Sequence, residues 1–466
     1  MDIIYTLADH VVNTDFETLP EAVVEKTKLF LLDSLGVAMP GSGAPGVAPV
    51  AELMAEVGGN PQSTVLCFGH KLPAMNAALV NSMMIHALDL DDLHDDAIVH
   101  PSCCQFPVAL AIAEAYPPVS GKDLITAVAL GVDISCRLAL GLISGMGFIR
   151  SGICGIFGAV ATAAKLMNCS KDEVVNAMGI AFSQTGGNAQ VLLDGALVKR
   201  MQPAFMAKDG IFSVLLARKG IEGTKNTLEG KFGFLELYKR GEVFLENITN
   251  DLGKLFETVN VDVKPFPGGR YIHGPAELGI SLSKKNNLKP EQIDEITIYL
   301  PTMAYNYVGR PYDPGLGNPQ VMAQFCAIYA GVAGIVRGDL FISEFDEEVI
   351  KDPVIAELAG KTKTVIDESV KEPTAKTPVT MEIKTKDGKI FKEKVQYLKG
   401  HPKNFMSKDE FVAKFKKCID FSATKIPEAN ISEILKLTDK LEELTDVSNI
   451  PRLLTTSHQK KAPDAQ

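Results

Sequence analysis

Residues 86–104 read HALDLDDLHDDAIVHPSCC and interrupt an otherwise apolar helical pattern. An apolar, Met-rich run (Ala77–Ile85) leads into this stretch, and Pro101 ends it before another apolar helix. Five aspartates and three histidines fall within fifteen positions of it. Acids this close together between apolar segments are expected to raise one another's pKa values and those of His94 and His100. The pattern therefore predicts a functional site at the end of a buried helix.

Three interpretations of this acidic stretch remain open. The first is a solvated polar helix end, which is the usual meaning of a charge run. The second is a metal site, although His94 and His100 lie six positions apart, not the four that place two ligands on one helix face. The third is acid/base chemistry with neither metal nor cofactor, and we predict this one. Cys103 and Cys104 are weak candidates for a nucleophile, because neighbouring carboxylates raise the pKa of a thiol.

Length and composition limit the class of protein. The chain has 466 residues, 46% of them hydrophobic, and a formal net charge of −10, which argues against a nucleic-acid partner. The first residues lack the basic segment of a signal peptide, and no apolar run reaches the length of a membrane span. Eight cysteines without a C-x-x-C pair indicate reduced core thiols. We therefore expect a cytoplasmic protein that does not associate with membranes.

Hydrophobic periodicity predicts a mainly α protein. We expect a large all-helical domain (residues 1–262) and a smaller α+β domain (263–400) that precedes the C-terminal helices. Those helices (401–454) should rejoin the helical domain, and a disordered tail (455–466) should follow. An Asp-Gly turn between two alternating segments predicts a β-hairpin within 379–397.

Finer expectations follow from local sequence. Residues 64–68 are rich enough in β-forming side chains for a short strand, 307–314 reads as a loop, and 319–337 reads as one helix. Three glycines spaced by three positions, from Gly152 to Gly158, indicate close helix packing. A phosphate-binding loop is the alternative, but no strand precedes them and no Lys-Ser/Thr follows.

Several motifs together resemble the MmgE/PrpD family, which includes 2-methylcitrate dehydratase, cis-aconitate decarboxylase and iminodisuccinate epimerase. The marks are LDSLGVA (Leu32–Ala38), HALDLDD followed by HPS, and the later KPFP and YVGRP segments. The resemblance spans nearly the whole chain, from about residue 2 to 455. It implies a helical domain with an α+β lid, a substrate pocket that needs no metal, and a homodimer.

The resemblance also implies functional residues, position by position. Asp89 matches the first aspartate of the D-x-D-D motif, His100 the histidine before Pro-Ser, and Lys199 the lysine before a Pro-containing helix start. Lys264 matches the lysine of K-x-F/Y-P, and Tyr307 the tyrosine of Y-V-x-R-P. We expect these five to be catalytic.

This chain departs from the decarboxylase branch of the family at three positions. Ile149, Gly269 and Gln202 stand where that branch has histidines. The departures count against cis-aconitate decarboxylation and weaken the transfer of any one substrate.

The shared chemistry moves a proton at a carbon next to a carboxylate, so the site must hold cations where negative charge develops. We expect His100 to act as general acid/base with Asp89 orienting it, and Tyr307 or Lys264 to protonate a leaving hydroxyl. The expected substrate-binding residues are Arg200, Arg270, Arg310 and Gln202.

The sequence leaves four functions open, and each of them involves a small polycarboxylate. The first is a hydro-lyase of the 2-methylcitrate dehydratase type. The second is an epimerase or isomerase of an iminodisuccinate-like acid, and the third is a cis-aconitate-type decarboxylase. The last is a non-catalytic polycarboxylate binder, against which the complete set of five matching residues argues.

Overall fold

A computed structural model describes residues 1–142, 147–315, 318–371 and 375–455 of the chain. The chain divides into two compact units, Met1–Asp262 with Ser407–Gln466, and Val263–Met406. Helices dominate, which confirms the predicted mainly α fold class. Apart from Thr455, the tail predicted to be disordered lies outside the described residues.

The first unit is built from α-helices whose central members are apolar on nearly all sides and therefore buried. Its helices before the second unit are α1 (Ile4–Asn13), α2 (Glu21–Gly41), α3 (Val47–Val57), α4 (Ala74–His86), α5 (Ser102–Ala115), α6 (Gly121–Leu140), α7 (Arg150–Leu166), α8 (Lys171–Phe182), α9 (Gln190–Leu193), α10 (Gln202–Arg218), α11 (Phe234–Tyr238) and α12 (Leu245–Thr249). Capping boxes at Ser120 and Ser170 begin α6 and α8.

Two short antiparallel pairs accompany these helices. Strand β1 (Ser63–Thr64) pairs with β2 (Lys71–Leu72), and β3 (Leu93–His94) pairs with β4 (Val261–Asp262). The strand predicted at 64–68 is therefore wrong in extent, because the chain turns back on itself after Thr64.

Close packing explains two of the three glycines of α7. A Cβ added at Gly158 would lie 2.4 Å from the carbonyl oxygen of Gly131 on α6, and one added at Gly152 would lie 2.3 Å from that of Gly186. At Gly155 the nearest atom would be 3.8 Å away. The predicted helix packing is thus confirmed at Gly158, whereas Gly152 approaches the backbone of the loop that follows α8; at both positions only glycine lets the backbones come so close.

The second unit is α+β. Its helices are α13 (His273–Asn286), α14 (Thr302–Val308), α15 (Pro319–Gln324), α16 (Ala327–Arg337), α17 (Glu347–Ile350) and α18 (Pro353–Ala359). Its strands are β5 (Ile293–Leu300), β6 (Thr362–Ile366), β7 (Val379–Thr385) and β8 (Ile390–Val395). They form one sheet in the order β6-β5-β7-β8, with β5 and β6 parallel and the other neighbours antiparallel. The predicted hairpin is confirmed as β7–β8.

Three predictions for this unit need correction. Tyr307 lies on α14 and not in a loop, because Pro301 starts a helix that the later Gly309 ends. The helix predicted over 319–337 is interrupted at Phe325, where α15 stops and Cys326 caps α16. Strand β6 was not predicted.

The chain then returns to the first unit through α19 (Lys408–Ile419), α20 (Glu428–Asp439) and α21 (Ile450–Leu453). Lys414 of α19 makes a buried ion pair with Asp33 of α2, at 2.6 Å, and donates to the carbonyl oxygen of Leu90 at 3.1 Å. Helix α19 thereby contacts both α2 and the backbone of the acidic stretch. Across the described ranges, none of the helices combines the length and apolarity needed to cross a membrane.

Candidate active site

The acidic stretch is a loop fixed at both ends. Helix α4 ends at His86, and Asp89 then adopts a left-handed conformation (φ 52°), which aspartate tolerates better than most residues. Further on, the Asp92 carboxylate accepts hydrogen bonds from the backbone N–H and the hydroxyl of Ser102, at 3.2 and 2.5 Å, where α5 begins. Pairing of β3 with β4 holds the middle of the loop.

Five side chains of the first unit form a ring of polar contacts, which we call the Lys–His cluster: Lys199, His86, Asp91, His100 and Asp89. Lys199 Nζ lies 3.1 Å from His86 Nε2, and His86 Nδ1 lies 2.8 Å from Asp91 Oδ2. The same Asp91 oxygen lies 3.2 Å from His100 Nδ1. His100 Nε2 lies 3.9 Å from Asp89 Oδ1, and the other Asp89 oxygen accepts a hydrogen bond from Lys199. Three of the predicted catalytic residues are thus brought together.

Sequence reasoning missed two members of this cluster. The sequence singles out neither His86 nor Asp91, which are only two of the eight acids and histidines of the acidic stretch. The chain turns at Asp89, whose backbone is left-handed; beyond this turn Asp91 faces the imidazoles of His86 and His100, whereas Asp92 accepts hydrogen bonds from Ser102. No periodicity in the sequence signals that turn.

The pKa values of the two adjacent aspartates move in opposite directions. Burial alone would raise the pKa of Asp91, but the imidazoles of His86 and His100 outweigh it and hold that pKa well below its usual range. Burial raises the pKa of Asp92 well above its usual range, and the neighbouring Asp91 raises it further. The expectation that all the acids raise one another's pKa is therefore wrong for Asp91, because two histidines face it.

Lys199 and Arg200 lie on a 3-10 turn (Leu197–Met201) that leads into α10. The guanidinium of Arg200 is buried and donates to the carbonyl oxygen of Pro45 at 2.7 Å. Burial lowers the pKa of Arg200, and Asp89 partly offsets this effect. Gln202 is also buried. Its amide nitrogen donates to the carbonyl oxygen of Asn188 at 3.1 Å, and its Oε1 has no hydrogen-bond partner among the described residues.

The other predicted site residues belong to the second unit. Lys264 and Arg270 are buried, and the Arg270 guanidinium donates to a backbone carbonyl at 3.0 Å. The ring of Tyr307 stacks on another tyrosine with centroids 5.4 Å apart, and burial raises the pKa of its hydroxyl. Arg310 is exposed and donates to a backbone carbonyl at 3.2 Å. Their catalytic and binding roles remain predictions.

Two of the positions that lack the decarboxylase-branch histidines have distinct local structures. Ile149 precedes the first residue of α7, and its carbonyl oxygen accepts a hydrogen bond from Gly152. A Cβ added at Gly269 would lie 2.7 Å from the ring of Phe325. A histidine at 269 would therefore require Phe325 to move.

The Lys–His cluster also has the dimensions of a cation site. One ligand atom from each of His86, Asp89, Asp91 and His100 lies within 4.8 Å of the others. The Lys199 ammonium, however, already contacts two of these four side chains and supplies a positive charge there. The predicted absence of a metal remains a prediction, with Lys199 as its physical argument.

The two cysteines beside the cluster are poor nucleophiles. Both are buried, and burial raises both thiol pKa values. Asp91 raises that of Cys103 further. The cluster is therefore equipped for proton transfer and carboxylate binding rather than for thiolate chemistry.

Comparison with known protein families identifies the class of protein. The model of the MmgE/PrpD N-terminal domain matches residues 5–246, and that of the MmgE/PrpD C-terminal domain matches residues 266–440. The chain belongs to the MmgE/PrpD family.

Curated relatives align over nearly the whole chain. A cis-aconitate decarboxylase-like protein, oryM, of Aspergillus oryzae is 26% identical over 94% of this chain and 94% of its own length. The cis-aconitate decarboxylase of Aspergillus terreus is 27% identical, covering 95% of this chain and 94% of that protein. That of Mus musculus is 27% identical, covering 94% and 90%.

Proposed function

We propose that this protein is a lyase that removes a proton next to a carboxylate of a small polycarboxylate. The observation that carries the proposal is the contact of Lys199 with Asp89 beside His100. An imidazole that can accept a proton and an ammonium that can stabilise a developing enolate-like charge are the two elements that such a step requires.

The specific reaction we propose is dehydration of a 2-methylcitrate-type hydroxy acid. His100 takes the proton from the carbon next to a carboxylate, and the electron pair of that C–H bond forms the double bond as the C–O bond breaks. The protonated His100 then returns the proton to the departing hydroxyl, so that water leaves and the enzyme is unchanged. Lys199 pairs with the substrate carboxylate throughout.

A second candidate is decarboxylation of a cis-aconitate-like acid, which the names of the curated relatives favour. Here a C–C bond breaks, carbon dioxide leaves, and His100 protonates the resulting carbanion. Against it stand Ile149, Gly269 and Gln202 in place of histidines, and the Phe325 ring that occupies the space beside Gly269.

Proton NMR of the metal-stripped protein in deuterium oxide separates these reactions. The panel contains citrate, 2-methylcitrate, cis-aconitate and iminodisuccinate. New alkene signals from 2-methylcitrate with no loss of carbon support the hydro-lyase, whereas loss of carbon dioxide from cis-aconitate establishes the decarboxylase. Deuterium incorporation without a new skeleton establishes an epimerase, and activity that requires added metal refutes the metal-free mechanism.

One variant and a matched control test the role of Asp89. Asp89→Asn should lower turnover by about 10²-fold or more, because Asp89 is the carboxylate that orients His100 and favours its protonated form, and losing such an orienting acid can cost up to about 10⁴-fold. Asp96→Asn is the matched control, since Asp96 is an exposed aspartate of the same loop. Equal activity of both variants would contradict the assignment of Asp89.

We also propose that the chain forms a homodimer, as the family resemblance implies. Sedimentation velocity at micromolar concentration should give twice the 50.2 kDa mass of one chain. A species of one chain mass would contradict it.

A further inference from the structure

Histidine 86 is almost completely buried, yet both of its ring nitrogens have polar neighbours of opposite charge. Lys199 Nζ lies 3.1 Å from its Nε2, and an oxygen of Asp91 lies 2.8 Å from its Nδ1. An ammonium can only donate a hydrogen bond, and a carboxylate can only accept one. Nε2 must therefore present its lone pair to Lys199, and Nδ1 must carry the proton.

A doubly protonated His86 would not fit this site. Its Nε2–H would face the Lys199 ammonium at 3.1 Å, with two donors and no acceptor between them. Lys199 thus selects the neutral Nδ1–H form of His86. The choice of tautomer is set by the donor beside the ring, as in other histidine sites.

Proximity to Asp91, rather than a hydrogen bond at each nitrogen, orients His100. His100 Nδ1 is buried and lies 3.2 Å from Asp91 Oδ2, the oxygen that also faces His86. The two imidazole rings meet edge to face, with centroids 4.7 Å apart. With Nδ1 turned into the protein, Nε2 is the nitrogen of His100 through which a substrate proton can pass.

We propose that His86 and Asp91 are positioning residues: through them Lys199 fixes the ring of His100 so that Nε2 is its reacting nitrogen. The assignment of Nε2 as the reacting nitrogen rests on the proposed function, whereas the assignment of the tautomers of His86 and His100 does not. His86 touches no substrate in this proposal and acts only through Asp91.

The neighbouring His94 serves as a control, because its hydrogen bonds indicate the Nε2–H tautomer. The backbone N–H of Ala97 donates to His94 Nδ1 at 3.2 Å, so that nitrogen carries no proton. His94 Nε2 then donates to Glu257 at 3.0 Å. His94 is buried in the same loop, but among the described residues no hydrogen bond or ion pair joins its side chain to Lys199 or Asp91.

Nitrogen-15 NMR of the full-length protein, labelled only at its eight histidines, tests the tautomers without any substrate. Signals are assigned by their loss in His86→Gln, His100→Gln and His94→Gln. We expect His86 and His100 as Nδ1–H tautomers and His94 as the Nε2–H tautomer. An Nε2–H or doubly protonated His86 would overturn the proposal.

Kinetics tests the positioning role. His86→Gln should lower kcat about 10- to 100-fold with KM nearly unchanged, because supporting partners of this kind typically matter to that extent. His94→Gln should leave kcat within about threefold, which separates positioning from a general disturbance of the loop. A His86→Gln variant with full kcat would refute the positioning role.

The outcomes also separate this proposal from the proposed function. The expected tautomers in a protein that turns over no polycarboxylate would uphold the fixed tautomers and overturn the function. Turnover of a polycarboxylate by a protein whose His86 is the Nε2–H tautomer would uphold the proposed function and overturn the fixed tautomers.

Discussion

Two adjacent buried aspartates should respond in opposite ways to the same substitution. We compare Asp91→Asn with Asp92→Asn, which replace the same ionisable group at adjacent positions, in side chains that are both almost fully buried. The imidazoles of His86 and His100 hold the pKa of Asp91 well below its usual range, whereas burial raises the pKa of Asp92 well above it. The first variant should be strongly destabilised, and the second should not.

The magnitude follows from the contacts. Asp91 Oδ2 lies 2.8 Å from His86 Nδ1 and 3.2 Å from His100 Nδ1, and asparagine replaces this charged acceptor by a neutral amide. Because a hydrogen bond to a charged group typically contributes about 1.5–3 kcal/mol, we expect Asp91→Asn to cost at least about that much. Among the described residues Asp92 accepts hydrogen bonds from the two Ser102 donors, and an asparagine can reproduce a protonated carboxyl there. At pH 4, where the unfolded carboxyl is still largely protonated, we therefore expect Asp92→Asn to change the free energy of unfolding by less than about 1 kcal/mol.

The two effects should also depend on pH with opposite sign. The pKa of Asp91 is lower in the folded state, so its contribution is fully present above the unfolded value of about 3.9 and is lost as the pH falls through the folded value. The pKa of Asp92 is higher in the folded state, so the wild-type carboxyl costs stability as the pH rises above about 3.9. Relative to the wild type, Asp92→Asn should thus gain stability from pH 4 to pH 7.

Equilibrium urea denaturation followed by circular dichroism at pH 4 and pH 7 measures both differences. The reasoning would be refuted if Asp92→Asn cost as much as Asp91→Asn at pH 7. It would also be refuted if the Asp91→Asn difference grew on acidification.

Three further predictions test packing, a predicted catalytic residue and a buried lysine. Gly158→Ala should destabilise the protein by about 1–3 kcal/mol, because its Cβ would meet a backbone oxygen of the facing helix, whereas Gly155→Ala should be close to neutral in the same denaturation assay. If Tyr307 supplies the proton of the departing hydroxyl in place of His100, Tyr307→Phe should lower kcat by about 10²-fold or more without changing the melting temperature, and Tyr305→Phe on the same helix should leave both unchanged; an unchanged kcat in Tyr307→Phe would leave that proton with His100. Burial lowers the pKa of Lys26 to about 8, so the folded lysine loses its proton between pH 8 and pH 10 while the unfolded lysine keeps it. The stability of the wild type relative to Lys26→Met should therefore rise over that range. A difference in denaturation midpoint that stays constant with pH would contradict this.

The parts of the fold that depend on local pattern could be predicted from the sequence. The mainly α class, the β7–β8 hairpin and the close helix packing at Gly158 follow from periodicity, an Asp-Gly turn and glycine spacing. Strand β6 could not be predicted in this way, because what identifies it is its parallel pairing with the distant β5.

In the candidate site, too, some residues could be predicted from the sequence and others could not. The motifs indicated Asp89, His100 and Lys199, and these residues do lie together. His86 and Asp91 were missed because their role depends on the left-handed turn at Asp89 and on a lysine more than a hundred residues away. A pattern of residue types cannot supply either fact.

The charge of the Lys–His cluster constrains how an anionic substrate can bind. With both imidazoles neutral, two carboxylates face one ammonium, so the cluster carries a net charge of −1 before substrate arrives. A substrate carboxylate must therefore compete with Asp89 for Lys199, or gain help from another cation. Arg200 is such a cation, since its electrostatic interaction with Asp89 is favourable and its contact with the Pro45 carbonyl engages only one of its five N–H donors. On this argument Asp89 holds Lys199 in place until a substrate carboxylate replaces it. The displaced Asp89 then remains beside His100, where it favours the imidazolium that proton abstraction creates.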